Sequence, residues 1–153
     1  MRRDVDRIHN FVGIIVVSVD IQTNSRRVVY YYFSDPIVRN AHDEFFAKKS
    51  IAEKEPLFLK DKSDKNINDR LIKLINHEFT CTPYSAILGS RFIPEVAERV
   101  STVCGVAVPP SFGRFDGMVN IYLSKEPTED EKLLLKVILA DVSDDISKYM
   151  KNP

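Results

Sequence analysis

The chain has 153 residues, 44% hydrophobic and 29% charged, the balance of a single soluble globular domain spanning residues 1–153. A domain of that length buries enough surface to fold without a metal or disulfide staple. Lys plus Arg and Asp plus Glu number 22 each, so the formal net charge is zero; the basic excess that drives counterion release from phosphates is missing, and nucleic acid is not an expected partner.

The first apolar run, Phe11 to Ile21, is β-branched and almost continuous, which suits a strand covered on both faces. It is too short for a membrane span of about 20 residues, it contains Ser18 and Asp20, and no small-residue cleavage site follows it. No membrane partner is expected. Arg26 to Phe33 is again rich in strand formers, and Gln22 to Ser25 suits the loop of a hairpin. In the run Tyr30-Tyr31-Tyr32, the middle ring faces opposite to the other two.

Asp35-Pro36 then opens a helix, with Asp as N-cap acceptor and Pro at the first helical position. Ile37, Ala41 and Phe45 recur at helical spacing, carrying it to Lys49 or Glu53. Pro56 to Lys60 reads as a short strand, and Lys60 to Asn68 as a polar surface loop. Ile67, Leu71, Leu74, Ile75 and Phe79 mark a second amphipathic helix that Thr82-Pro83 ends at the latest. Tyr84 to Ser90 alternates loosely as a strand would. Val96, Ala97, Val100 and Cys104 place a third short helix over Pro94 to Cys104.

Gly105–Pro109 and Gly117–Ser124 form two strands, the second with Val119, Ile121 and Leu123 on one face and Met118, Asn120 and Tyr122 on the other. Thr128 with Glu131 is a capping box. Leu135, Ile138, Leu139, Val142, Ile146 and Tyr149 then stripe a long final helix. Two hairpins and separate helices make this an α+β chain, with an antiparallel sheet of five or six strands and helices packed on its faces.

Val108-Pro109, the segment Gly117-Met118-Val119-Asn120-Ile121-Tyr122 and the acidic Thr128-Glu129-Asp130-Glu131 occur in the order in which GAF domains close. The chain therefore resembles a GAF domain, closely over Gly105 to Tyr149 and compatibly over the rest. PAS and roadblock/longin modules share the profilin-like antiparallel-sheet logic and are the alternative. The Asn-Lys…Phe…Asp-Glu signature of cyclic-nucleotide-binding members is missing, as is the Cys-His of bilin-binding ones: Cys81 precedes Thr82, and Cys104 precedes Gly105.

The resemblance implies a sensory or regulatory module that takes a small molecule between the sheet and the helices of the central region and signals through a partner or a homodimer. Leu59, Leu71, Ile75, Tyr84, Ile87, Arg91, Val100 and Tyr122 are the expected ligand-binding residues. The loop PPSFGRFDG sets Arg114 between Phe112 and Phe115, a group suited to a partner surface. With Leu135, Val142 and Ile146 of the last helix it makes the expected interface, because Leu133, Leu134 and Val137 give that helix more apolar surface than one sheet face needs. The alternative function is a ligand-free interaction domain using the same surfaces.

Catalytic chemistry finds little support. Ser85, Ser111 and Ser143 lack the Gly-x-Ser-x-Gly turn of a hydrolase nucleophile, and Asp144-Asp145 falls on a polar helix face. His9, His42 and His77 make no metal constellation; His77 with Cys81 supplies only two ligands. Cys81 and Cys104 form no disulfide framework and read as free, buried, inert thiols of a cytoplasmic chain, a redox pair being the competing reading. A non-enzymatic module with no metal and no nameable cofactor is the expectation.

Overall fold

The computed structural model describes residues 10–49, 55–58, 65–87, 92–111 and 113–151. Along the chain run β1 (Phe11–Asp20), β2 (Ser25–Phe33), α1 (Pro36–Lys49), β3 (Glu55–Pro56), α2 (Lys65–Ile75) and β4 (Thr80–Pro83). After a 3-10 turn at Tyr84–Ala86 come α3 (Pro94–Ala97), β5 (Thr102–Val108), β6 (Gly117–Leu123) and α4 (Glu129–Lys151). Among the described residues one six-stranded sheet forms, in the order β3-β2-β1-β6-β5-β4, with every neighbouring pair antiparallel. The first and last hairpins meet at its centre, where β1 pairs β6 with Ile14 opposite Ile121 and Val16 opposite Val119.

Both faces of this sheet are covered, which is why β1 is almost continuously apolar and all seven residues of β5 are buried. On one face Ile14, Val16, Val106, Val119 and Ile121 pack against Leu135, Leu139 and Val142 of α4. The buried Ser143 hydroxyl ties that helix to the sheet by donating to the Ala107 carbonyl at 2.5 Å. On the other face Ile15, Val17, Phe33, Val103 and Met118 pack under Val38 of α1 and Ile67, Leu71 and Leu74 of α2.

The helix starts form as their sequences require. Asp35 Oδ1 accepts from the Ile37 and Val38 amides at 2.9 and 3.4 Å. Thr128 and Glu131 exchange backbone-to-side-chain bonds at 3.0 and 3.2 Å, the reciprocal capping box.

Four local expectations change. Of the strand expected at Pro56–Lys60, Leu59 and Lys60 lie outside the described residues, and the described part pairs only as Glu55–Pro56, because the Leu57 and Phe58 amides turn away to Asn24, at 3.0 and 2.9 Å. Helix α2 stops at Ile75, and His77 takes a left-handed φ of 60°. Phe79 therefore leaves the helix stripe and packs on the α4 face, while Thr80–Pro83 becomes an edge strand. Tyr84–Ala86 is a 3-10 turn rather than a strand, its Tyr84 hydroxyl accepting from the Ile93 amide at 3.0 Å. The third helix covers only Pro94–Ala97; Thr102-Val103, β-branched, begin β5, so Cys104 is a strand residue.

That last change brings the cysteines together. Cys81 and Cys104 are directly opposed in the β4–β5 register and joined as a disulfide, with Cα atoms 4.0 Å apart. The expectation of free thiols is corrected, and with it goes the argument from free thiols to a reducing compartment.

The interface expectation changes too. Leu135 and Val142 are 1% exposed, buried against the sheet, and Phe115 is buried in the opposite core. Ile146 packs beside Leu135 and Val142, whereas Arg114 stays exposed and bonds Asp116 at 3.4 Å. Phe112 lies outside the described residues. The apolar residues that α4 does expose are Leu133, Leu134, Val137 and Tyr149. Among the described residues no helix is long and apolar enough to cross a membrane.

Candidate ligand cavity

A cavity of about 120 Å³ lies between the sheet and helices α1 and α2. Ile15, Val17, Val28, Val103 and Met118 form its floor, and Phe45, Phe46, Ile67, Leu71, Tyr84, Ile87 and Ile93 wall it. Into this apolar setting project Arg26, Glu55, His42, Arg70, Asn120 and Tyr122, and the exposed Arg27 borders it. Pockets that select small molecules have this make-up, apolar walls with a few polar groups.

Arg70 comes from the buried stripe of α2, where it takes a place beside Ile67, Leu71 and Leu74. It is 8% exposed. Its Nη1 donates to Thr82 Oγ1 at 2.8 Å, to the Val103 carbonyl at 2.9 Å and more weakly to the Thr80 carbonyl at 3.4 Å. Its Nη2 donates to Asn120 Oδ1 at 2.7 Å. All four acceptors are neutral, and among the described residues no carboxylate pairs with this guanidinium. Burial lowers its pKa from 12.5 to about 10, opposed by the nearby Tyr122 phenol, so at neutral pH the group is a buried cation. Gly105 makes room for it: a Cβ there would stand 2.7 Å from Nη2 and collide with Asn120 Oδ1.

Arg26 reaches the cavity because of a bulge. The β1–β2 register shifts between Val16, opposite Tyr30, and Val17, opposite Val28, so that Val29 is the extra residue. Past it the alternation is reversed: Val28 and Arg26 join Tyr31 and Phe33 on the cavity face, and Arg27 moves to the other face, opposite Ser18. Arg26 Nη2 bonds Glu55 Oε2 at 2.7 Å, while the buried Nε has no hydrogen-bond partner. Burial lowers the pKa of Arg26 against the attraction of Glu55, which raises it.

An aromatic cluster closes one end. His42 stacks on Phe33 with centroids 4.1 Å apart and meets the edge of Tyr122 at 5.8 Å. Tyr122 also meets Tyr84 at 6.1 Å. Nδ1 of His42 lies 2.9 Å from the Val38 carbonyl, which assigns the proton of the neutral ring to that nitrogen. Burial holds the His42 pKa below its ordinary value of 6.5.

No protein-family model and no curated protein sequence matches this chain. Solved structures do match it over nearly its whole length. The GAF domain of a two-component sensor histidine kinase from Bacillus halodurans superposes with a TM-score of 0.59 at 8% identity, covering 99% of this chain and 95% of that one. The GAF domain/HD domain protein from Geobacter sulfurreducens gives 0.57 at 11% identity, over 97% and 88%. The photoproduct state of a third GAF domain, from Synechocystis sp., gives 0.55 at 12%, over 97% and 92%. The fold is GAF-like.

Of the eight residues expected to bind ligand in this GAF-like domain, Leu71, Tyr84, Ile87 and Tyr122 line the cavity. Ile75 packs at the edge of the same core, and Val100 is buried within it, neither reaching the cavity. Leu59 and Arg91 lie outside the described residues. The polar residues Arg26, Glu55, His42, Arg70 and Asn120 were missed. Two of them left a trace in the sequence: Arg70 interrupts the apolar stripe Ile67-Leu71-Leu74, and Asn120 shares with Met118 and Tyr122 the strand face that proves to be the cavity face. Among the described residues no cluster of three His, Cys, Asp or Glu side chains could hold a metal ion.

Proposed function

We propose that this GAF-like domain is a sensory or regulatory module that binds a small molecule in the cavity and passes the change to a partner. The observation that carries the reading is the cavity itself, an apolar space into which buried charged side chains project. Strand β6 offers the route outward, since Asn120 and Tyr122 face the cavity while Val119, Ile121 and Leu123 pack toward α4. A ligand that shifts β6 shifts the seat of that helix. The sensor-kinase setting of the Bacillus halodurans domain supports the same reading by analogy of fold. Binding, not catalysis, is the proposed activity.

Thermal unfolding across a panel of nucleotides, amino acids, organic acids and tetrapyrroles tests it. A binder raises the transition temperature of the wild type and leaves that of Ile87→Trp, whose side chain fills the cavity, unmoved. A panel that shifts nothing overturns the reading.

A homodimer is the second reading, favoured by the exposed Leu133, Leu134 and Val137 on the first turns of α4. Sedimentation of wild type against Val137→Glu distinguishes the two: a dimer that becomes a monomer supports it, and a wild-type monomer overturns it.

A further inference from the structure

Resting on the reading of the cavity as a ligand site, we infer that its ligand is a small monocarboxylate with an apolar body, held by Arg26 and Arg70. Three observations converge on that chemistry.

The first is charge. The charged residues lining the cavity are Arg26, Arg27, Arg70 and Glu55, of which Arg27 is exposed to solvent. Arg26 and Glu55 offset each other as an ion pair, which leaves the buried positive charge of Arg70 without a carboxylate partner among the described residues. Burying a cation without a counter-ion costs several kcal/mol (about the penalty of removing one partner of a buried pair). A neutral donor would clamp Thr82, Val103 and Asn120 at far lower cost, so a purely structural role leaves the choice of arginine without a reason. A bound anion supplies the missing counter-charge.

The second is donor count. A guanidinium carries five N–H groups. The bonds of Arg70 occupy Nη1 and one N–H of Nη2, so Nε–H and the second Nη2–H have no protein acceptor among the described residues. Arg26 Nε, buried in the same cavity wall, is likewise without one. The buried, unpaired Nε–H of Arg26 and the N–H groups that Arg70 leaves unpaired make the donor set that a carboxylate satisfies, and Arg presents them in a planar fork matched to it.

The third is size. The volume of about 120 Å³ is somewhat less than the roughly 150 Å³ known to hold a benzene ring in a dry protein cavity. After the carboxylate is seated, Leu71, Ile87 and Phe45 leave room for a short branched chain or a ring that protrudes toward the mouth. A phosphate would carry more charge than the site balances and would leave the apolar wall uncovered.

The test is direct calorimetry on the intact chain with isovalerate and benzoate, their primary amides, and inorganic phosphate. The acids are expected to bind about tenfold or more tighter than the amides, the worth of a charged over a neutral hydrogen bond, and phosphate is expected not to bind. Glu55→Gln removes the one carboxylate that lines the cavity among the described residues and is expected to tighten the acids several-fold relative to the amides, a gain that damage to the fold would not produce. Equal affinity for acid and amide overturns the carboxylate assignment while leaving the cavity as a ligand site. Phosphate binding as well as the acids overturns the apolar-bodied class in favour of a bare anion site. No binding by any of these compounds to folded protein overturns this inference, while a shift with another class in the thermal-unfolding panel keeps the cavity as a ligand site.

Discussion

Arg70 and Asn120 meet at 2.7 Å directly above the α-carbon of Gly105, joining a helix to a central strand of the sheet through a gap that only a missing side chain leaves open. Gly105→Ala is therefore expected to displace both side chains and cost about 1–3 kcal/mol, as overpacking a tight core does. The check is a lower urea midpoint at unchanged m-value. A midpoint within error of wild type would show that the pair moves aside freely.

Replacing Arg70 itself separates fold from function less cleanly but has a definite sign. Arg70→Met removes the donor that serves Thr82, Val103 and Asn120. Each acceptor left buried and unpaired costs about 1–3 kcal/mol, offset in part by the charge no longer buried. Net destabilisation is expected, smaller in Arg70→Met combined with Asn120→Leu than the two single losses summed, because the pair is directly coupled.

The Cys81–Cys104 bond closes a loop with a sequence separation of 23. Chain-entropy arguments value such a crosslink at about 3 kcal/mol. Because Thr80, Thr82 and Val103 flank the bonded residues and also hold Arg70, the loss should be felt at the cavity. Reduction, or the Cys81→Ser and Cys104→Ala double change, is expected to lower the denaturation midpoint, with alkylation and mass analysis showing no free thiol before reduction and two after it.

His42 sets a pH dependence. Its native pKa is depressed by burial, so the unfolded chain takes up the proton first as the pH falls below 6.5. Stability should accordingly decline on acidification from neutral pH, until the native ring also protonates. The carboxylates titrate in a lower window. His42→Phe, which preserves the stack on Phe33, should flatten this decline, and denaturation midpoints at a series of pH values would show it.

On α4 two apolar faces should respond differently to charge. Val142→Glu buries a carboxylate at a position 1% exposed and is expected to unfold the domain or cost more than about 4 kcal/mol. Leu134→Glu, at an exposed position, should leave the midpoint within about 0.5 kcal/mol of wild type. Circular dichroism with denaturant titration distinguishes the two.

The features legible in the sequence were those set by neighbours along the chain. Period-two alternation placed the two faces of β6, Asp35 and Thr128 announced their helices, and the unbroken apolar run of β1 declared a strand covered on both sides. These rest on local sterics and on orphan amides within one turn, which a sequence records directly. The helix ending at Ile75 and the strand at Thr80–Pro83 were less legible, because Phe79 falls on helical spacing yet packs on the opposite side of the sheet. The cavity's charged groups were set by pairing between distant segments. Unbroken alternation from Tyr31 would have put Arg27 inside; the bulge at Val29 put Arg26 there instead. The disulfide needed the β4–β5 register, and the room for Arg70 needed Gly105 opposite Asn120. Register and bulges are fixed by what the partner strand and the covering helices can bury, and that is a property of the assembled sheet rather than of any stretch of chain.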